Sequence, residues 1–158
     1  MVGLPLKELI LVGLYPCVLC AAIGTDIARR MIPNALVVAL LAGFVTLAAL
    51  SHLPDLSLRL LVSGSVTALG FSLFSQDLIG AGDAKLAGAL MLWLDPLQVP
   101  VFILLTGLIG GLLTLAILLR RRVAQPQLSL AQTSLPYAVA LAGAGLMLHP
   151  YSSLMHFA

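Results

Sequence analysis

The sequence predicts an all-α, polytopic membrane protein of six transmembrane helices, the fourth of them short and beginning at a Gly-x-Gly-Asp motif. Three observations carry this expectation. Hydrophobic residues make up 61% of the chain and charged residues only 9%, and the mean hydropathy of +1.12 lies far above that of soluble domains. No polar stretch in the 158 residues is longer than a loop, so residues 1–158 read as a single transmembrane domain. Charges and prolines then cut the apolar sequence into pieces of roughly the 20 residues needed to cross a hydrocarbon core about 30 Å thick.

Taken in order, the first pass runs from about Leu9 to Thr25, the second from Pro33 to Leu50 and the third from Leu58 to Ser75. The fifth runs from Pro96 to Leu119, and the sixth from about Leu135 to Leu148 after the polar linker RRRVAQPQLSLAQTS. Only nine residues separate Lys85 from Asp95 in the fourth, about 14 Å of apolar helix at 1.5 Å per residue. It crosses only by drawing Asp83 and Lys85 into the membrane boundary. Pro33 suits the first turn of the second helix, where a missing N–H is harmless.

Basic residues set the orientation, because Lys and Arg accumulate in short cytoplasmic loops. Arg29 and Arg30 follow pass one, Lys85 opens pass four, and Arg120, Arg121 and Arg122 follow pass five, while Lys7 and Arg59 fall opposite. This places the N-terminus outside. Removing the first pass as a signal peptide would undo that agreement, so it is read as a helix. Trp93, Tyr151, His52 and His149 then cluster at the outer boundary, where amphipathic rings anchor. Cys17 and Cys20 share a helix face without a second pair to complete a zinc site, which points to buried apolar packing. In GLIGG, Gly107 and Gly111 have the small-xxx-small spacing that lets helices pack closely; internal packing is expected, a homodimer face being the other use.

The same topology brings Asp26, at the end of pass one, and Asp83, at the start of pass four, to one membrane face. A carboxylate at a helix centre costs about 2.5 to 3.5 kcal/mol to insert, less near the boundary, and such residues usually mark function. Taken singly, each has a bland reading: Asp26 as a loop residue beside Arg29 or Arg30, Asp83 as a helix N-cap. Gly80 and Gly82 around Asp83 permit a tight turn and close approach of another segment. If the two carboxyls meet, one holds a proton while the other stays charged, the combination that activates water for peptide hydrolysis. Asp55, Asp77 and Asp95 read as loop or cap residues.

The segments GTDIARRMIPNALV and GAGDAKLAGAL together resemble the aspartic prepilin peptidases, of the type IV leader peptidase family, which carry one aspartate before an Ile-Pro-Asn segment and a second in a Gly-x-Gly-Asp motif. SLPYAVALAGAGLML is similar to that family's Pro-Tyr-bearing last helix, so the resemblance extends over essentially the whole chain. By position it implies that Asp26 and Asp83 are catalytic, with Gly80, Gly82, Lys85, Pro33 and Asn34 as supporting motif residues. Lys85 stands two positions from Asp83, so a direct salt bridge on a regular helix is not expected, and topology or the lipid boundary explains it; no role for Asn34 follows from the sequence. The larger members carry paired Cys-x-x-Cys motifs linked to methylation; CVLC lies in an apolar helix instead, so proteolysis without methyl transfer is expected, as in stand-alone Tad/Cpa-type enzymes.

The resemblance also implies the partners: a prepilin with a short basic leader ending in glycine, followed by an apolar helix, within the lipid of the cytoplasmic membrane. No cofactor, metal or nucleic acid is expected, since no His, Cys and carboxylate cluster has metal-ligand spacing. Arg29, Arg30 and the Arg120 to Arg122 cluster would repel a basic leader, and fixing topology or holding anionic lipid is their simpler use. Two readings of other classes stand beside this one. A small proton-coupled transporter would spread polar groups along a pore, and a non-catalytic subunit of a pilus or secretion machine would tolerate loss of either carboxylate.

Overall fold

The computed structural model describes residues 6–53, 55–124 and 137–156. Six helices follow one another in the predicted order: α1 (Leu6–Arg29), α2 (Asn34–Leu50), α3 (Leu56–Phe74), α4 (Ala81–Trp93), α5 (Val99–Ala124) and α6 (Tyr137–Leu148). Short 3-10 turns at Pro96–Gln98, His149–Tyr151 and Ser153–His156 complete the described chain, and no strand occurs among the described residues. The linker residues 125–136, the first two residues expected for pass six, and the side chains of Arg121 and Arg122 lie outside what is described.

The expectation of six crossings needs correction. Among the described residues, three stretches are long and apolar enough to span a bilayer: Leu6–Arg29, Leu56–Phe74 and Pro96–Arg120. At 17 residues Asn34–Leu50 is shorter, while α4 and α6 have only 13 and 12, roughly 20 Å or less of helix. The reason lies in the packing. Helix α4 sits in the middle, against α2, α3 and α6, with Leu86 and every residue from Gly88 to Trp93 buried. The long helices are on the outside, and only 11% of the apolar window of α3 and 6% of that of α5 is buried. A helix enclosed by others has no need to match the lipid thickness.

Small residues let α3 approach α4. A Cβ on Gly70 would stand 2.8 Å from the Ala84 Cβ, and one on Gly88 would overlap Thr67 Oγ1. The Ser63 hydroxyl donates to the Gly88 carbonyl at 2.7 Å. This is backbone-close membrane packing held by side-chain hydrogen bonds. A Cβ on Gly107 or Gly111, both expected to pack internally, would meet no neighbour within 4 Å; α5 meets α6 instead through Gly110 beside Ala140 and Ile109 beside Gly143. Helix α1 widens to π geometry over Leu9–Leu14 just before Pro16, whose missing N–H and bulky ring disturb the regular ladder.

Three expectations about aromatic and sulfur side chains are overturned. Trp93 is fully buried and His149 nearly so; the His149 ring stacks on Tyr15 at 4.1 Å, Tyr15 lies 4.8 Å from Trp93, and His149 Nε2 donates to the Leu11 carbonyl at 2.8 Å. These rings hold α1, α4 and the turn after α6 together rather than anchoring a boundary. Tyr151 and His52 are exposed, as expected there. Cys17 and Cys20 are free and exposed on the outer face of α1, because apolar side chains serve as well against lipid as against protein.

The end of the bundle holding Arg59 is closed by hydrogen bonds. Arg59, one of the two basic residues expected on the outer side, is only 1% exposed. Its guanidinium donates to the Leu92 and Leu94 carbonyls at 3.1 and 2.8 Å, to the Ser153 hydroxyl at 2.9 Å and to the Asp95 carboxylate. Asp95 also accepts the Ser153 hydroxyl at 2.6 Å and amide at 2.7 Å, and it caps the turn at Pro96 in a capping box with Gln98. The Ser152 hydroxyl donates to the Trp93 carbonyl at 3.1 Å. Burial opposes the charged form of Asp95, but Ser153 and Arg59 together hold its carboxyl below the ordinary carboxylate range. Asp95 is thus the cap it was expected to be, with a buried cation added.

Candidate active site

At the opposite end, α1 stops where Arg30 takes a left-handed conformation (φ 53°) and its N–H closes on the Asp26 carbonyl at 2.9 Å. Asp26 therefore stands in the last turn of a helix, not in a loop. Its side chain is 6% exposed, and Oδ2 accepts the backbone N–H of Ala138 at 3.0 Å, in the first turn of α6. That N–H is one of the donors a helix start leaves without an internal partner. Arg30, beside it, adds a favourable charge interaction.

Asp83 comes from the first turn of α4. Gly80 is the N-cap residue of that helix, with Asp83 three positions on; the Asp83 carboxylate accepts the backbone N–H of Gly80, so it serves the helix start from the third position rather than as the N-cap residue itself. The two motif glycines have separate spatial reasons. A Cβ on Gly80 would lie 2.9 Å from Asp83 Oδ2, and one on Gly82 would lie 3.3 Å from the Ile32 Cβ. Side chains there would push the carboxylate aside or force the Met31–Pro33 link away from α4.

Asp26 and Asp83 line one pocket of about 340 Å³, together with Arg30, Met31, Ile32, Asn34, Gly80, Ala81, Gly82 and Lys85. No hydrogen bond joins the two carboxylates to each other among the described residues. The pocket brings together Asp26, Asp83, Gly80, Gly82, Lys85 and Asn34; Pro33 is absent from its lining and is the N-cap of α2 rather than a first-turn residue. Lys85 makes no ion pair with Asp83: its Nζ donates to Asn34 Oδ1 at 3.1 Å. Sequence reasoning missed that bond, as well as Arg30, Met31 and Ile32 as lining residues and Ala138 as a partner of Asp26. For Arg30 a signal existed, since a residue four beyond Asp26 and ahead of a proline is where a helix closes. No group of three His, Cys, Asp or Glu side chains that could hold a metal is present among the described residues.

A family model described as the type IV leader peptidase family matches residues 13–115. The chain belongs to this family. The match takes in Asp26, the Ile-Pro-Asn segment and the Gly-x-Gly-Asp motif, and it stops short of α6, so the likeness of the Pro-Tyr helix is not part of it. No curated protein and no solved structure matches the chain. Family membership and the apolar helices make it a membrane protein and a leader peptidase-type protease.

Proposed function

We propose that this leader peptidase is an aspartic endopeptidase of the cytoplasmic membrane that removes a short basic leader from prepilins of the Flp or type IV type, cutting after a glycine at the cytoplasmic boundary. The observation that carries the reading is that carboxylates from two helices far apart in sequence, Asp26 and Asp83, line one pocket at the helix ends. In the reaction, the charged carboxylate takes a proton from water as the oxygen attacks the scissile carbonyl, and the protonated carboxyl donates a hydrogen bond to the carbonyl oxygen. Collapse of the tetrahedral intermediate releases the new N-terminal amine, which carries away a proton. Neither step calls for a metal or cofactor.

The N-terminus lies outside in this reading, with the pocket at the cytoplasmic face. The substrate's apolar helix lies among the enzyme helices and presents its cytoplasmic boundary at the depth of Asp26 and Asp83; a glycine at the junction eases local unwinding. The test is cleavage of a purified prepilin in liposomes by wild type, Asp26→Asn and Asp83→Asn, with and without chelator. Wild type is expected to cut after the leader glycine regardless of chelator, and both variants to be inactive. Full activity in either variant would remove the two-aspartate mechanism, and proton flux without cleavage would favour a transporter.

A further inference from the structure

Peptide hydrolysis at this pocket poses a problem that two carboxyls cannot solve alone. The scissile segment must leave its helix, and each turn unwound releases backbone N–H and C=O groups that need new partners in the pocket. A backbone group left without a partner is costly. The pocket has to replace the lost bonds. Asp26 and Asp83 are engaged with water in the proposed reaction, the Arg30 charge acts on Asp26, and Met31, Ile32 and Ala81 are apolar.

Asn34 and Lys85 meet the requirement. They come from the first residue of α2 and the first turns of α4, and both line the pocket. Their mutual bond, Lys85 Nζ to Asn34 Oδ1 at 3.1 Å, bridges the two helices beside the carboxylates. It uses one of three ammonium donors and neither amide donor, and among the described residues no other hydrogen bond engages either side chain. An amide group that both donates and accepts matches a peptide unit, and an ammonium group matches a carbonyl. The pairing with a neutral amide also leaves the lysine charge uncompensated by that partner, so a substrate carboxylate is the competing occupant.

Resting on the peptidase reading, we propose that Asn34 and Lys85 form a backbone-binding subsite that takes up the N–H and C=O groups released where the substrate unwinds around the scissile bond. They are specificity-determining residues in the sense that they read an extended main chain, not a side chain.

The test uses the full chain in liposomes and a synthetic prepilin in which amides near the cleaved bond are replaced one at a time by esters, which removes an N–H and weakens a carbonyl. Asn34→Ala and Lys85→Met are each expected to raise KM roughly tenfold with a smaller change in kcat, and Lys85→Arg to restore most of the loss. At one ester position the wild-type loss should be of similar size and should not add to that of the variants, the mark of a shared contact. Unchanged KM in both variants, or losses that add at every ester position, would overturn the subsite. So would coupling to neutralised acidic side chains of the substrate instead. Failure of wild type to cut the all-amide peptide overturns the peptidase reading as well, whereas wild-type cleavage without coupling overturns the subsite only.

Discussion

Where Arg59 enters the bundle, a buried cation meets two main-chain carbonyls, a serine hydroxyl and a carboxylate that itself accepts from Ser153 and from the Gln98 backbone N–H. Where α1 ends, two carboxylates share a pocket in which Asp26 is met by backbone donors of α6 and Lys85 leans on a neutral amide. Both ends place charge in a protein that otherwise avoids it. The first end saturates its charges with permanent partners, as stability requires; the second leaves bonding capacity facing a cavity, as binding requires. An open cavity beside the charges, more than the presence of charge, separates a site from a clasp.

Substitutions should divide along this line. The largest effect falls on activity: Asp26→Asn and Asp83→Asn should each lower the cleavage rate by about 10²–10⁴-fold or more, while thermal unfolding in detergent shifts little. Arg59→Met should do the reverse, destabilising the protein by about 3–5 kcal/mol through the carboxylate left unpaired, with the chemistry of the remaining folded fraction intact. A stable Arg59→Met protein, or an unfolded Asp83→Asn protein, would erase the contrast. Gly88→Ala should cost about 1–3 kcal/mol by overpacking against Thr67, and Thr67→Ala in the same chain should recover most of it.

Acid should act on the clasp through Asp95. Its carboxyl is held below the ordinary range in the folded state, so the stability it contributes is present above the unfolded-state pKa of about 3.9 and is lost as pH falls through the lower folded value. Unfolding measured across that acid window should steepen for wild type and flatten for Asp95→Asn. Cys17→Ala and Cys20→Ala, at exposed sites on α1, should change stability by no more than about 0.5 kcal/mol; a larger loss would mean that this face is covered.

The positions and order of all six helices were legible because apolar runs and charged punctuation are strong signals. Which side of each helix faces inward was not. Lipid and protein interior are both apolar, so Cys17 and Cys20 could be taken as buried, Trp93 and His149 as boundary residues, and Gly107 rather than Gly110 as the packing glycine. Crossing length failed at α4 and α6 for a related reason, since the hydropathy rule assumes contact with lipid and these two are packed inside the bundle. In the pocket, Asp26 and Asp83 stood out because charge is expensive in a membrane. Asn34 carried no such mark, and its bond to Lys85 joins residues 51 positions apart. Arg59 was visible as a basic residue on the wrong side, and its placement opposite Asp95 could have been read as a pair.

The Arg59 clasp also has a bearing on biosynthesis. Ser153 lies 94 positions after Arg59, so the ribosome must make α4, α5 and α6 before the guanidinium's last partner exists. Until then the nascent protein carries a half-satisfied cation at the membrane, and the translocon or an attendant insertase must tolerate it through most of the chain's synthesis.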